Sequence, residues 1–80
     1  MWLLKVNGDI EKLPDEPDTN SVISWGVGGW PELVKLENGA VAYINADRER
    51  LGLEYNATAT ALLGKNVSGY MVLLDRNILN

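Results

Sequence analysis

The sequence predicts an α+β domain: a mainly antiparallel sheet of about five strands, in the order hairpin, helix, hairpin, helix, strand, with two short helices on one face. Three observations carry that expectation. Two Asn-Gly dipeptides, Asn7-Gly8 and Asn38-Gly39, each sit between strand-like runs and mark hairpin turns. The stretch from Asn56 to Gly64 opens on a good N-cap residue and closes on a glycine placed as a helix terminator. The run Tyr70-Met71-Val72-Leu73-Leu74 is apolar on both alternations, as a central strand is.

In the first hairpin Trp2, Leu4 and Val6 line one face, and Asp9, Glu11 and Leu13 fall opposite them. Residues 9–13 therefore read as an edge strand whose charges discourage pairing with another edge. Leu13 to Asn20 is a loop, because its two prolines and its turn formers sustain no ladder. Asp18, Thr19 or Asn20 then caps a short helix over residues 21–25, closed by the glycines at 26, 28 and 29. A two-residue type I′ turn at Asn38-Gly39 folds residues 33–37 back on 40–44. In that register Val34, Leu36, Val41 and Tyr43 share one face, and Lys35, Glu37, Ala40 and Ala42 share the other. Asn56 caps a second helix over Ala57–Leu63, with Ala59, Leu62 and Leu63 on one side and small alanines that permit close approach to a sheet. Residues from Asp75 onward form a loose tail.

The chain has 80 residues, enough for one domain over 1–80. A chain this short buries only about 60% of the surface its unfolded form exposes. Small domains usually reinforce such a core with disulfides, a metal or a partner subunit. With no Cys and no His, neither a disulfide nor a Cys/His zinc site can form, so a homo-oligomer is the expected reinforcement. Seven Lys and Arg against eleven Asp and Glu leave a net charge of −4, which argues against direct nucleic-acid binding. The opening Met1-Trp2-Leu3-Leu4 is too short an apolar run for a secretory signal or a membrane span, so a cytoplasmic protein with no membrane contact is expected. The N-x-S/T matches at Asn56 and Asn66 are then chance acceptors.

The same absences limit the chemistry. There is no thiol nucleophile, imidazole base, Ser-His-Asp arrangement or soft metal ligand, so the expectation is a protein that is not an enzyme, with no catalytic residues, metal or cofactor. Asp15, Glu16 and Asp18 sit in a proline-flanked loop and read as solvated. Asp47 and Glu49 alternate with Arg48 and Arg50 in a locally neutralised turn, with Glu54 further along. Gly26-Val27-Gly28-Gly29 fails the dinucleotide and P-loop patterns. It is either a helix cap leading into the next strand or a backbone nest for an anion. Trp25 and Trp30 flank this turn, which leaves at least one of them partly exposed and available as a binding anchor.

Val27-Gly28-Gly29-Trp30-Pro31-Glu32-Leu33-Val34, Tyr43-Ile44-Asn45, Asn56-Ala57-Thr58-Ala59-Thr60-Ala61-Leu62-Leu63-Gly64 and Val67-Ser68-Gly69 together resemble a family of domains of unknown function, the one numbered 3846. The likeness covers roughly residues 1–75, with unbroken spacing from Val27 to Gly69. That family is carried largely by phages, plasmids and other mobile elements. This chain departs from its pattern at Ala46, where a Glu is usual, and at Arg48, where a Gly is usual. The resemblance implies a phage-type accessory protein that binds and inhibits a host factor, a defence component such as a CRISPR effector. The alternative is an oligomer that sequesters a small nucleotide, with the base stacked on Trp or Tyr and the phosphates met by Arg48, Arg50, Lys65 or backbone N–H groups. The candidate binding residues are Trp25, Gly28, Gly29, Trp30, Tyr43, Asn45, Arg48 and Asn56. Asn45 also fits as a turn former and Asn56 as a helix cap.

Overall fold

A computed structural model describes residues 1–14, 19–36 and 39–74. Its elements are β1 (Trp2–Leu4), β2 (Ile10–Lys12), α1 (Thr19–Val27), β3 (Pro31–Lys35), β4 (Val41–Asn45), α2 (Ala57–Leu63) and β5 (Met71–Leu73). The strands form one sheet in the order β2-β1-β5-β4-β3, and every neighbouring pair is antiparallel. This is the α+β class and element order expected from the sequence. The loop acids Asp15, Glu16 and Asp18, the turn residues Glu37 and Asn38, and the tail 75–80 lie outside the described residues.

The helices do not share a face. Along β5, Met71 and Leu73 join Leu4, Ala42, Ile44 and Val67 in a cluster closed by Ala59 of α2, with Leu62 and Leu63 packed at its margin. Val72 points the other way and joins Leu3, Leu13, Ile23 and Val27 under α1. Each helix therefore covers one side of the sheet, in place of the single covered side expected. The reason is visible in β5 itself: a strand apolar on both alternations must be buried on both faces, which needs a layer on each.

Both hairpin turns hold three residues instead of two. The Lys5 N–H donates to Asp9 O at 2.9 Å and the Gly8 N–H to Lys5 O at 3.0 Å. Gly8 has φ +94°, while no non-glycine residue among those described has positive φ, which excludes the type I′ turn for Asn7. The result is a type I turn followed by a left-handed glycine. In the second hairpin the Leu36 N–H donates to Ala40 O and the Gly39 N–H to Leu36 O, each at 2.9 Å. Leu33 consequently pairs with Tyr43, Val34 with Ala42 and Lys35 with Val41. That is one residue out from the expected register, and a slip of one exchanges the faces. Val34 and Leu36 share the core side with Ala42 and Ile44, and Tyr43 and Val41 lie on the α1 side with Leu33.

Helix α1 also runs further than expected, through Gly26 to Val27. Gly26 is not its terminator. A Cβ at that position would stand 2.6 Å from Val72 Cγ2 and 3.4 Å from Leu3 Cδ1, so the missing side chain is what lets α1 lie on the sheet. The terminator is Gly28, at φ +78°. Its N–H donates to Trp25 O at 3.2 Å and to Ser24 O at 2.9 Å, and the Gly29 N–H donates to Ser24 O at 3.0 Å, the Schellman pattern. Thr19 and Asn20, offered as caps, are inside the helix. Helix α2 has the expected bounds, with Asn56 as N-cap and left-handed Gly64 as C-cap.

Candidate functional site

The Schellman turn holds the chain reversal after α1 in a fixed geometry, and large apolar side chains stand out on either side of it. Trp25, in the last turn of α1, is 68% exposed, and Trp30, just before β3, is 77% exposed. Leu33, turned to the α1 side by the three-residue hairpin loop, is 50% exposed. Trp30 borders a shallow hollow with Ser24 and Gly29. Trp25 borders a groove of about 410 Å³ between α1 and β2, shared with Glu11, Lys12, Leu13, Pro14, Ser21 and Val22.

The polar candidates hold the turn in place. Asn45 is 1% exposed, at the end of β4. Its Nδ2 donates to Val27 O at 3.0 Å, and its Oδ1 accepts from the Asp47 N–H at 2.7 Å. One side chain thus ties the last carbonyl of α1 to the turn after β4. A Cβ at Gly29 would come within 3.1 Å of Asn45 Nδ2, so Gly29 also serves this fit. Arg48 donates from Nη1 to Glu32 Oε1 at 3.3 Å and to Asn45 O at 3.1 Å. Arg50 pairs with Asp47 at 3.3 Å. Among the described residues no three acidic side chains gather as a metal site.

Trp30, Gly28, Gly29, Asn45 and Arg48 are therefore brought together at the C-terminal end of α1. Tyr43 is half-buried beside them, packed against the α1 cluster. Asn56 is not part of this group. It is fully buried and bonded to Leu4 O and Gly69 O, on the opposite side of the sheet. The glycine turn acts as the helix cap and not as an anion nest, because the N–H groups of Gly28 and Gly29 are already given to Ser24 and Trp25 carbonyls. The C-terminal end of a helix also repels anions. Leu13, Pro14, Val22 and Leu33 were not singled out from the sequence. Only the correct strand register leaves Leu33 half exposed, and only the position of α1 against β2 makes Pro14, Val22 and the otherwise buried Leu13 walls of the groove.

No family model, curated protein or solved structure matches this chain. The family resemblance stands on the quoted residues alone, and function has to be argued from the surface. Among the described residues no helix is long and apolar enough to cross a membrane.

Replacing Asn45 by Ala is expected to leave Val27 O and the Asp47 N–H without their buried partner. The cost is about 2 kcal/mol, or roughly 10 °C in Tm by calorimetry. A loss within about 2 °C would show that Asn45 does not hold the turn.

Proposed function

We propose that this protein works without catalysis, as a phage-type accessory protein that occupies and inhibits a host protein in the host cytoplasm, a defence component such as a CRISPR effector. The observation that carries this reading is the pair of tryptophans left 68% and 77% exposed on either side of a rigidly capped turn. Indole side chains at the centre of a contact supply much of the binding energy of protein interfaces. A turn fixed in advance by the Schellman bonds and by Asn45 loses little further entropy on binding. A net charge of −4 suits a basic partner surface, of the kind that otherwise holds nucleic acid. The nucleotide-sequestering alternative draws no comparable support, since Arg48 and Arg50 are engaged with Glu32 and Asp47 and the glycine N–H groups are used in the cap.

Affinity purification from the host tests the proposal. The wild-type protein should retain one dominant host polypeptide, and Trp30→Ala should lose it. Because Trp30 packs little, the Tm of that variant should stay within about 3 °C of wild type. Retention of the same polypeptide by Trp30→Ala, or capture of none by the wild type, would refute it.

A further inference from the structure

The sheet ends on β2 at one side and on β3 at the other, and the ladder bonds fix which backbone groups of each point outward. The Leu36 N–H donates to Ala40 O at 2.9 Å and the Ala46 N–H to Trp30 O at 2.8 Å. Between them Val34 stands opposite Ala42 and Glu32 opposite Ile44. Alternation along an antiparallel pair then turns the N–H and C=O of Leu33 and Lys35, and the C=O of Pro31, away from β4. On β2 the Lys5 N–H bonded to Asp9 O and the Leu13 N–H bonded to Met1 O turn Ile10 and Lys12 outward by the same rule. Among the described residues none of these outward groups has a backbone partner.

The charges on each edge decide whether it can pair with a second copy of itself. In a two-fold antiparallel pair, outward groups meet outward groups when the axis passes through a residue. Like charges set directly opposite one another are destabilising. On β2, an axis at Ile10 opposes Glu11 to Asp9, and an axis at Glu11 or Lys12 opposes that residue to its own copy. On β3, an axis at Glu32 or Lys35 fails in the same way, but an axis at Leu33 or Val34 opposes no like charges. Of those two, only Leu33 gains by it. Its side chain is 50% exposed and would meet Leu33 of the second copy, whereas Val34 is already buried at 7%. In the Leu33 register Glu32 faces Val34, and Lys35 faces Pro31. The outward N–H of Leu33 then reaches Leu33 O of the second copy, and that of Lys35 reaches Pro31 O. Pro31 has no N–H to give, so the ladder stops there.

We infer that this protein forms a two-fold dimer through β3, with Leu33 on the axis and two five-stranded sheets joined edge to edge. A chain this short, with neither thiol nor imidazole to build a staple, gains from a partner subunit the reinforcement its thin core lacks. Each chain uses one edge and its other edge repels its own copy, so assembly closes at two chains. The dimer stands whether or not a host polypeptide is captured.

The chain has no cysteine, so one introduced thiol reports the register directly. The Cα atoms of an opposed hydrogen-bonded pair lie about 5.5 Å apart, within the span of a disulfide. Leu33→Cys under mild oxidant should therefore become mainly a covalent dimer. The two Lys35 positions lie about 13 Å apart along the strands in this register. Lys35→Cys, and Ile10→Cys on the other edge, should cross-link at least about tenfold more slowly than Leu33→Cys. For the unaltered chain, sedimentation should show a monomer–dimer equilibrium at concentrations up to about 1 mM. Amide exchange at Leu33 and Lys35 should slow by about tenfold as the dimer fills, with Ile10 and Lys12 unchanged. Leu33→Lys sets two cations on the axis and should weaken association by about tenfold or more, with the far-UV spectrum of the fold retained. A single-chain mass throughout the concentration series would overturn the inference. So would cross-linking of Lys35→Cys as fast as Leu33→Cys, protection at Ile10 and Lys12, or undiminished association of Leu33→Lys. Protection at Leu33 and Lys35 that appears only with a captured host polypeptide assigns the edge to a foreign strand, and overturns it as well.

Discussion

Asn56→Ala should destabilise the domain by about 3 kcal/mol, a large fraction of the ~4–12 kcal/mol ordinary for a chain of this size. The side chain makes three buried contacts. Its Oδ1 accepts from the Ala59 N–H at 3.0 Å, while its Nδ2 donates to Leu4 O and to Gly69 O, each at 3.0 Å. It therefore starts α2 and pins that start to β1 and to the turn before β5. Asn56→Asp separates the two roles. Aspartate caps a helix as well as asparagine does, so loss of capping alone predicts almost no change. Aspartate cannot donate, however, and it would set a buried carboxylate against two carbonyl oxygens, so the Asp variant should be at least as unstable as the Ala one. Urea titration followed by far-UV circular dichroism reads both values. An Asp variant as stable as wild type would reduce Asn56 to a cap.

The second large effect is expected at Gly26. On helix propensity alone, Gly26→Ala should stabilise α1 by about 1 kcal/mol. The new methyl would instead meet Val72 Cγ2 at 2.6 Å, and Val72 is wholly buried on the central strand. A β-branched side chain has little rotameric freedom to move aside, so α1 must lift and loosen its contacts with Leu3 and Leu13. The net result should be a loss of about 2 kcal/mol, or roughly 10 °C in Tm. Val72→Ala in the same chain should recover part of it, giving a double-mutant cycle far from additive. A Gly26→Ala variant more stable than wild type would show that helix and sheet are not in this close contact.

These two positions show which features a sequence displays. Asn56 and Gly64 were placed correctly because a cap is a local device, legible from the residues beside it. Gly26 was misassigned because glycine has two uses, positive φ and the absence of a side chain, and only the packed structure shows which applies. The register of the second hairpin failed for a related reason. Asn-Gly fits a two-residue turn, but a glycine in the same place also ends a three-residue turn, and the difference of one exchanged Ala42 with Tyr43. The side taken by each helix depends on packing between residues far apart in the chain, such as Gly26 against Val72 and the gathering of Ala59 into the cluster of Met71 and Leu73, to which local patterns are blind. At the candidate site, the two tryptophans were recognisable by residue type. The groove beneath Trp25 was not, because it exists only once α1 lies beside β2.

The position of β5 between β1 and β4 has a consequence for biosynthesis. The two hairpins have no ladder in common until Met71–Leu73 arrives between them. At ~5–20 residues per second, the ribosome needs roughly 3–12 seconds to travel from Lys12 to Met71. Throughout that interval Leu3 and Leu4 await the strand that will shelter them. Translation that stalls short of Met71 yields two unjoined ribbons, a natural target for chaperones and proteases.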